Sequence, residues 1–277
     1  MDNGSYSPLH HAALMGHTRT VELLLTQAFP TEAEDKDMNT PLHLAAWTGH
    51  VGMGELLLRK GACASAPTRN RCNNNPLDLA ASKGHTHMVE LLFGIRTSAG
   101  AFDRPDGNSL LHLTARNGHI GATILLLIKG CRVHRRNAEG KTPLHLAACN
   151  GHTGVMELLI GIGASMGARD QFDNTPLHIA ASSGQTGAVG LLLTKGSWIH
   201  AEDAEGKSPL HLAVCNGHTD VVELLLEKGA SIEARNRDGK TPLHFAACSG
   251  LTGVVELLLE KGTSIEARDR RTRLQQS

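Results

Sequence analysis

An all-α solenoid of helix-turn-helix units joined by β-hairpin-like loops is the fold that the sequence predicts, and three observations predict it. A Pro-Leu-His step, or a variant of it, recurs at Pro8, Pro41, Pro76, Pro143, Pro176, Pro209 and Pro242, with Leu110 in the proline's place in one copy. The spacings are 33, 35, 34, 33, 33, 33 and 33 residues, a fixed period of the size that marks a repeat array. Each copy then carries two short stretches with apolar residues at helical spacing, too short to be stable alone. Aromatic residues make up only 3% of the chain, so Leu and Ala must fill thin helical layers in place of one compact core.

The unit is clearest in residues 236–268. Asp238-Gly239 is a tight-turn dipeptide, in which glycine supplies the positive φ that other residues resist. Thr241 is placed to cap a first helix by accepting a backbone N–H. Pro242 follows at the first helical position, where its missing N–H costs nothing. Gly250 ends that helix. Thr252 is expected to cap a second helix, in which Val255, Leu258 and Leu259 share a face while Glu256, Glu260 and Lys261 point away, and Gly262 ends it. Stacking is what buries these faces.

The residues Thr-Pro-Leu-His-x-Ala stand letter for letter at 40–45, 142–147, 175–180 and 241–246. On these motifs the chain resembles the ankyrin-repeat family over residues 2–268, with eight repeats at 2–34, 35–69, 70–103, 104–136, 137–169, 170–202, 203–235 and 236–268. A tail or aborted ninth repeat occupies 269–277. The first four repeats are irregular: Gly52 and Gly54 fall inside a helical stretch, Asp78 stands where the others have histidine, and the fourth lacks its proline.

Composition and motifs exclude several function classes. Lys plus Arg and Asp plus Glu number 27 each, so no global field draws the chain to nucleic acid or acidic membrane. The longest aliphatic run, residues 124–128, is far short of a membrane span, and the first residues lack a leader pattern. The expectation is an intracellular protein, cytoplasmic or nuclear. No phosphate loop, nucleophile elbow or H-E-x-x-H is present, so no catalytic residue, metal or cofactor is assigned. Of seventeen histidines, seven belong to the Pro-Leu-His step (His10, His43, His112, His145, His178, His211, His244). Six more follow a helix-ending glycine (His17, His50, His85, His119, His152, His218). The resemblance implies that these tie turns to helices. Among the remainder, Cys131-x-x-His134 and His85-x-His87 look most like ligand spacing, and neither has the second pair that zinc requires.

The resemblance also implies a non-catalytic scaffold for protein–protein interaction, whose turn tips and exposed first-helix residues line a concave face. Carried onto this sequence, the candidate contacts are Trp47, Arg71, Lys83, Arg104, Arg116, Lys141, Asn150, Phe172, Lys207, Asn216, Arg237 and Lys240. Charge is unevenly spread behind the zero total. Residues 1–60 carry a balance of −3, 61–137 of +6, 138–234 of −6 and 235–277 of +3. Arg69, Arg71, Lys83, Arg104, Arg116, Arg136 and Lys141 fall at or beside the candidate face. Two readings stand: a solvated face with chance clustering, or a docking site for an acidic or phosphorylated protein segment. The apolar Val254, Val255, Leu258 and Leu259 of the last repeat resemble an interior repeat. Beside a monomeric binding scaffold, the sequence therefore leaves an assembly module that self-associates end to end, or a targeting fragment of a larger protein.

Overall fold

The computed structural model describes residues 6–64, 69–95 and 106–265. Among them stand sixteen α-helices of seven to ten residues and no strand. The chain divides into two compact units, Met1–Arg132 and Val133–Ser277. In the first unit the helix pairs are α1 (Pro8–Leu14) with α2 (Thr18–Thr26) and α3 (Pro41–Thr48) with α4 (Val51–Arg59). They are followed by α5 (Pro76–Lys83) with α6 (Thr86–Ile95) and α7 (Leu110–Arg116) with α8 (Ile120–Ile128). In the second unit α9 (Pro143–Cys149) pairs with α10 (Thr153–Gly161) and α11 (Pro176–Ser182) with α12 (Thr186–Thr194). There α13 (Pro209–Cys215) pairs with α14 (Thr219–Glu227) and α15 (Pro242–Cys248) with α16 (Thr252–Glu260).

Each unit is two layers deep. First helices pack on the first helices of the next pair, as α9 on α11 and α11 on α13, and second helices on second helices, as α10 on α12 and α12 on α14. Between the layers lie fully buried side chains such as Leu144, Ala147, Ala148, Met156 and Leu159. A buried leucine of this kind contributes about 1.5–3 kcal/mol. The paired alanines keep successive first helices close, which is why so few aromatics suffice.

A capping box opens α15, and the entry to α16 differs from the sequence expectation. The Thr241 side chain and His244 form a capping box, in which the Thr241 hydroxyl is bonded to the Nδ1 of His244 at 2.8 Å and the Thr241 backbone N–H donates to the same nitrogen at 3.1 Å. The histidine three residues into the helix thus completes the cap. Thr252 is the first residue of α16 and does not cap it; Leu251 precedes the helix and makes no side-chain cap. The helix entry is held by backbone instead, with Leu251 N–H bonded to Ala246 carbonyl at 3.0 Å across Gly250, whose φ is +65°.

In the third pair Asp78 replaces that histidine and keeps its capping function. Its Oδ2 accepts the N-cap Asn75 N–H at 3.1 Å, and the Asn75 Oδ1 accepts Asp78 N–H at 2.9 Å. The carboxylate is 2% exposed, and the Arg69 guanidinium lies 3.7 Å away. A buried carboxylate needs such a cation.

Candidate functional site

The turns that carry the candidate contacts are each organised by one buried or half-buried Asp or Asn. Asp170 Oδ1 accepts the backbone N–H groups of Phe172 and Asn174, both at 2.9 Å. Asp203 does the same for Glu205 and Lys207, Asn236 for Asp238 and Lys240, Asn137 for Glu139 and Lys141, and Asp35 for Asp37 and Asn39. This is an Asx turn repeated along the chain. Successive tips are then joined through backbone: Gln171 N–H donates to Glu139 carbonyl, Ala204 to Phe172 and Arg237 to Glu205, at 2.9–3.0 Å.

Arginines clip the same turns from behind. Arg235 donates to Gly239 carbonyl at 2.7 Å, and Arg169 to the carbonyls of Asp173 and Glu202 at 3.1 and 2.8 Å. Arg136 donates to the carbonyls of Gly140 and Arg169, and Arg69 to that of Asn73 at 2.7 Å. Arg69 and Arg136, which the sequence reading grouped with a basic patch, are therefore engaged in holding the backbone.

Two sets of histidines tie neighbouring pairs together in opposite directions. His145 Nδ1 accepts from the Thr142 N–H at 3.1 Å and from its hydroxyl at 2.9 Å, while Nε2 lies 3.1 Å from the Asn174 carbonyl of the next pair. A carbonyl only accepts, so the proton is on Nε2 and the ring is neutral. His10, His43, His178 and His211 repeat this bond to Asn39, Asn74, Lys207 and Lys240. Burial holds His145, His178 and His211 below the usual histidine pKa, against a partial opposing pull from the carbonyl bond and nearby aspartates. The second set reaches backward: Nε2 of His85, His119 and His218 bonds the carbonyls of Trp47, Ser82 and Ser182 at 2.8–3.0 Å.

Against this frame the candidate contacts fall into three groups. In the first unit Trp47, at the end of α3, is 46% exposed, and the Lys83 ammonium at the end of α5 stands 3.6 Å above its ring. Trp47 and Arg71 line one cavity of about 390 Å³, floored by Leu44 and Leu79. Arg116 is exposed at the end of α7, and Arg104 lies outside the described residues.

In the second unit Phe172 is 60% exposed at a turn tip. It lines a cavity of about 250 Å³ with Ile179, Ser182, Lys207 and Leu212. Lys141 and Lys207 are ion-paired within their own turns, to Glu139 at 2.6 Å and to Glu205 at 2.8 Å. Partial burial alone would lower the Lys207 pKa, and the bonded Glu205 outweighs it, so the net direction is up.

The third group lies just past the ends of α9 and α13 and in the turn before α15. Asn150 and Asn216 donate their amide N–H groups to Leu146 and Leu212 carbonyls at 2.9 and 2.8 Å, closing α9 and α13. Arg237 is exposed, with its backbone engaged by Glu205. Lys207 and Lys240 both lie over the ring of Phe245, at 5.5 and 5.9 Å from its centre. Sequence reasoning missed Phe245. Its signal was available, because it is the one phenylalanine at a position that is Leu or Ile in six of the other seven copies and His11 in the first.

Among the described residues no group of three His, Cys, Asp or Glu side chains converges as a metal site would. None of their helices is long and apolar enough to cross a membrane. A family model described as Ankyrin repeats (3 copies) matches overlapping stretches at residues 1–68, 30–103, 77–170, 111–203, 153–236 and 192–269. A search of curated proteins found no match. Family model, paired helices and recurring turn chemistry agree along the chain, which belongs to the ankyrin-repeat family.

Proposed function

We propose that the chain is a non-catalytic scaffold that holds a protein partner against the face made by its turns and first helices. Ankyrin repeats generally mediate protein–protein interactions and are generally non-catalytic modules. One observation carries the reading: the turns satisfy their own backbone through Asp170, Asp203, Asn236 and their equivalents, so the neighbouring outward side chains are not needed by the scaffold. Among those side chains are Trp47 and Phe172, large aromatics standing in solvent beside cavities. Exposed aromatics and arginines of this kind are the usual anchors of an interface. The contacts we assign are Trp47, Arg71, Lys83, Arg104 and Arg116 in the first unit and Phe172, Arg237 and Lys240 in the second. Lys141, Lys207, Asn150 and Asn216 belong to the rim, since their polar groups are already engaged.

A photo-crosslinking amino acid placed at Phe172, and separately at Glu223 on α14, tests the reading in a cell lysate. Discrete protein adducts are expected from position 172 and none from position 223. Adducts from 223 alone would move the binding surface to the outer helices and overturn the proposal.

A further inference from the structure

The inner face of the first unit differs chemically from that of the second. In the second unit the turn lysines Lys141 and Lys207 are neutralised at 2.6 and 2.8 Å by glutamates two residues earlier. In the first unit neither Arg71 nor Lys83 has an ion-pair partner among the described residues. Both side chains are exposed, and both stand at Trp47: Arg71 across the shared cavity, Lys83 directly over the indole. The cavity, about 390 Å³, has one acidic residue in its lining, Asp37, and a floor of Leu44 and Leu79. An apolar well beside two uncompensated cations is complementary to an apolar side chain with an anion next to it.

We propose that this well binds an extended acidic peptide segment of a partner protein. A bulky aliphatic side chain enters between Trp47 and the two leucines, and an adjacent Asp or Glu pairs with Arg71 and Lys83. The anion is a carboxylate and not a phosphate ester for two reasons. The Arg71 backbone N–H is already given to the Asp37 carbonyl at 2.8 Å, so it adds no donor to a cradle of the kind phosphates use. The Asp37 carboxylate on the lip would also oppose a dianion more than a monoanion. The proposal rests on the inner-face reading given above and adds the partner's chemistry.

The chain contains two tryptophans, so a Trp198→Phe background leaves Trp47 as the sole reporter in the well. Four synthetic ten-residue peptides serve as probes, each with a central leucine flanked by glutamates, glutamines, lysines or phosphoserines. The glutamate peptide is expected to shift Trp47 emission and to bind at least tenfold more tightly than the glutamine and lysine versions. Arg71→Glu and Lys83→Glu should each weaken it at least tenfold, with circular dichroism unchanged, and Lys195→Glu, exposed at the end of the outer helix α12, should leave it within twofold. Equal binding of the glutamate and glutamine peptides, no binding by any, or an equal loss from Lys195→Glu would overturn the site. Tighter binding of the phosphoserine peptide would overturn the carboxylate assignment. A display library separates this failure from that of the wider reading. Selected peptides lost on Phe172→Ala but indifferent to Arg71→Glu would remove the well and keep the inner face, and peptides indifferent to both would remove both.

Discussion

The Nε2–H of His178 donates to the carbonyl of Lys207, 29 residues along the chain and 3.1 Å away. The same ring accepts from the Thr175 N–H and hydroxyl, so one fully buried side chain closes its own helix and anchors the next turn. His178→Ala leaves those donors and a carbonyl unpaired in the interior and should cost about 3 kcal/mol. His218 is only half-buried and makes its one backward bond to Ser182, so His218→Ala should cost about 1 kcal/mol. Urea unfolding of both variants checks the order. Equal losses would mean that the forward bond adds nothing.

The buried histidines make stability depend on pH. Burial lowers the pKa of His145, His178 and His211 in the folded chain, so below about pH 6.5 the unfolded chain takes up protons that the folded chain refuses. Their contribution is complete above the unfolded pKa and is lost as pH falls towards the lowered folded values. The urea midpoint should be flat from about pH 8 to 7 and should drop between about pH 6.5 and 5.5. A midpoint that rises on acidification would contradict the neutral tautomer assigned from the hydrogen bonds.

Met38 holds a φ of +61° at a turn position where Gly140, Gly206 and Gly239 hold +75° to +77°. Its side chain is 43% exposed, so Met38→Gly sacrifices little burial and should raise stability by about 1 kcal/mol. Gly206→Ala should do the reverse, since an added Cβ would come within 2.9 Å of the Arg237 backbone nitrogen. A loss of about 2 kcal/mol is expected there. Thermal melts of the pair measure both signs.

Helix α8 lacks the polar outer stripe of its counterparts. Ile120, Ile124 and Ile128 are 47%, 41% and 76% exposed, and the position of Ile124 is glutamate at Glu22, Glu55, Glu90, Glu157, Glu223 and Glu256. Ile124→Glu should change stability by no more than about 0.5 kcal/mol and should delay aggregation on heating, followed by light scattering. A stability loss several times larger would show that the isoleucine is covered in solution.

The period of Pro-Leu-His made the helix pairs legible, because proline, N-cap hydroxyl and terminal glycine act locally and leave their mark at fixed offsets. The turn chemistry was harder to read. Asp35, Asn137, Asp170, Asp203 and Asn236 alternate between two residue types, and their role is to bond their own backbone. The glutamate partners of Lys141 and Lys207 were visible as Glu-Gly-Lys, a spacing that only a tight turn brings together. Arg69 and Arg136 look like surface charge in the sequence, and nothing nearby announces the carbonyls they bind. Trp47 and Lys83 meet across two pairs, and no local motif marks that contact.

The central claim is that partners dock on the turns and first helices, and one titration tests it most directly. Peptides selected by display on the whole chain would be titrated against Lys83→Glu and Phe172→Ala on the inner face, and against Glu223→Lys and Ile124→Glu on the outer helices. Every selected peptide should lose at least tenfold in affinity to one of the inner-face substitutions and stay within twofold on both outer ones. Tenfold losses confined to the outer substitutions would contradict the claim and place the binding surface on the opposite layer.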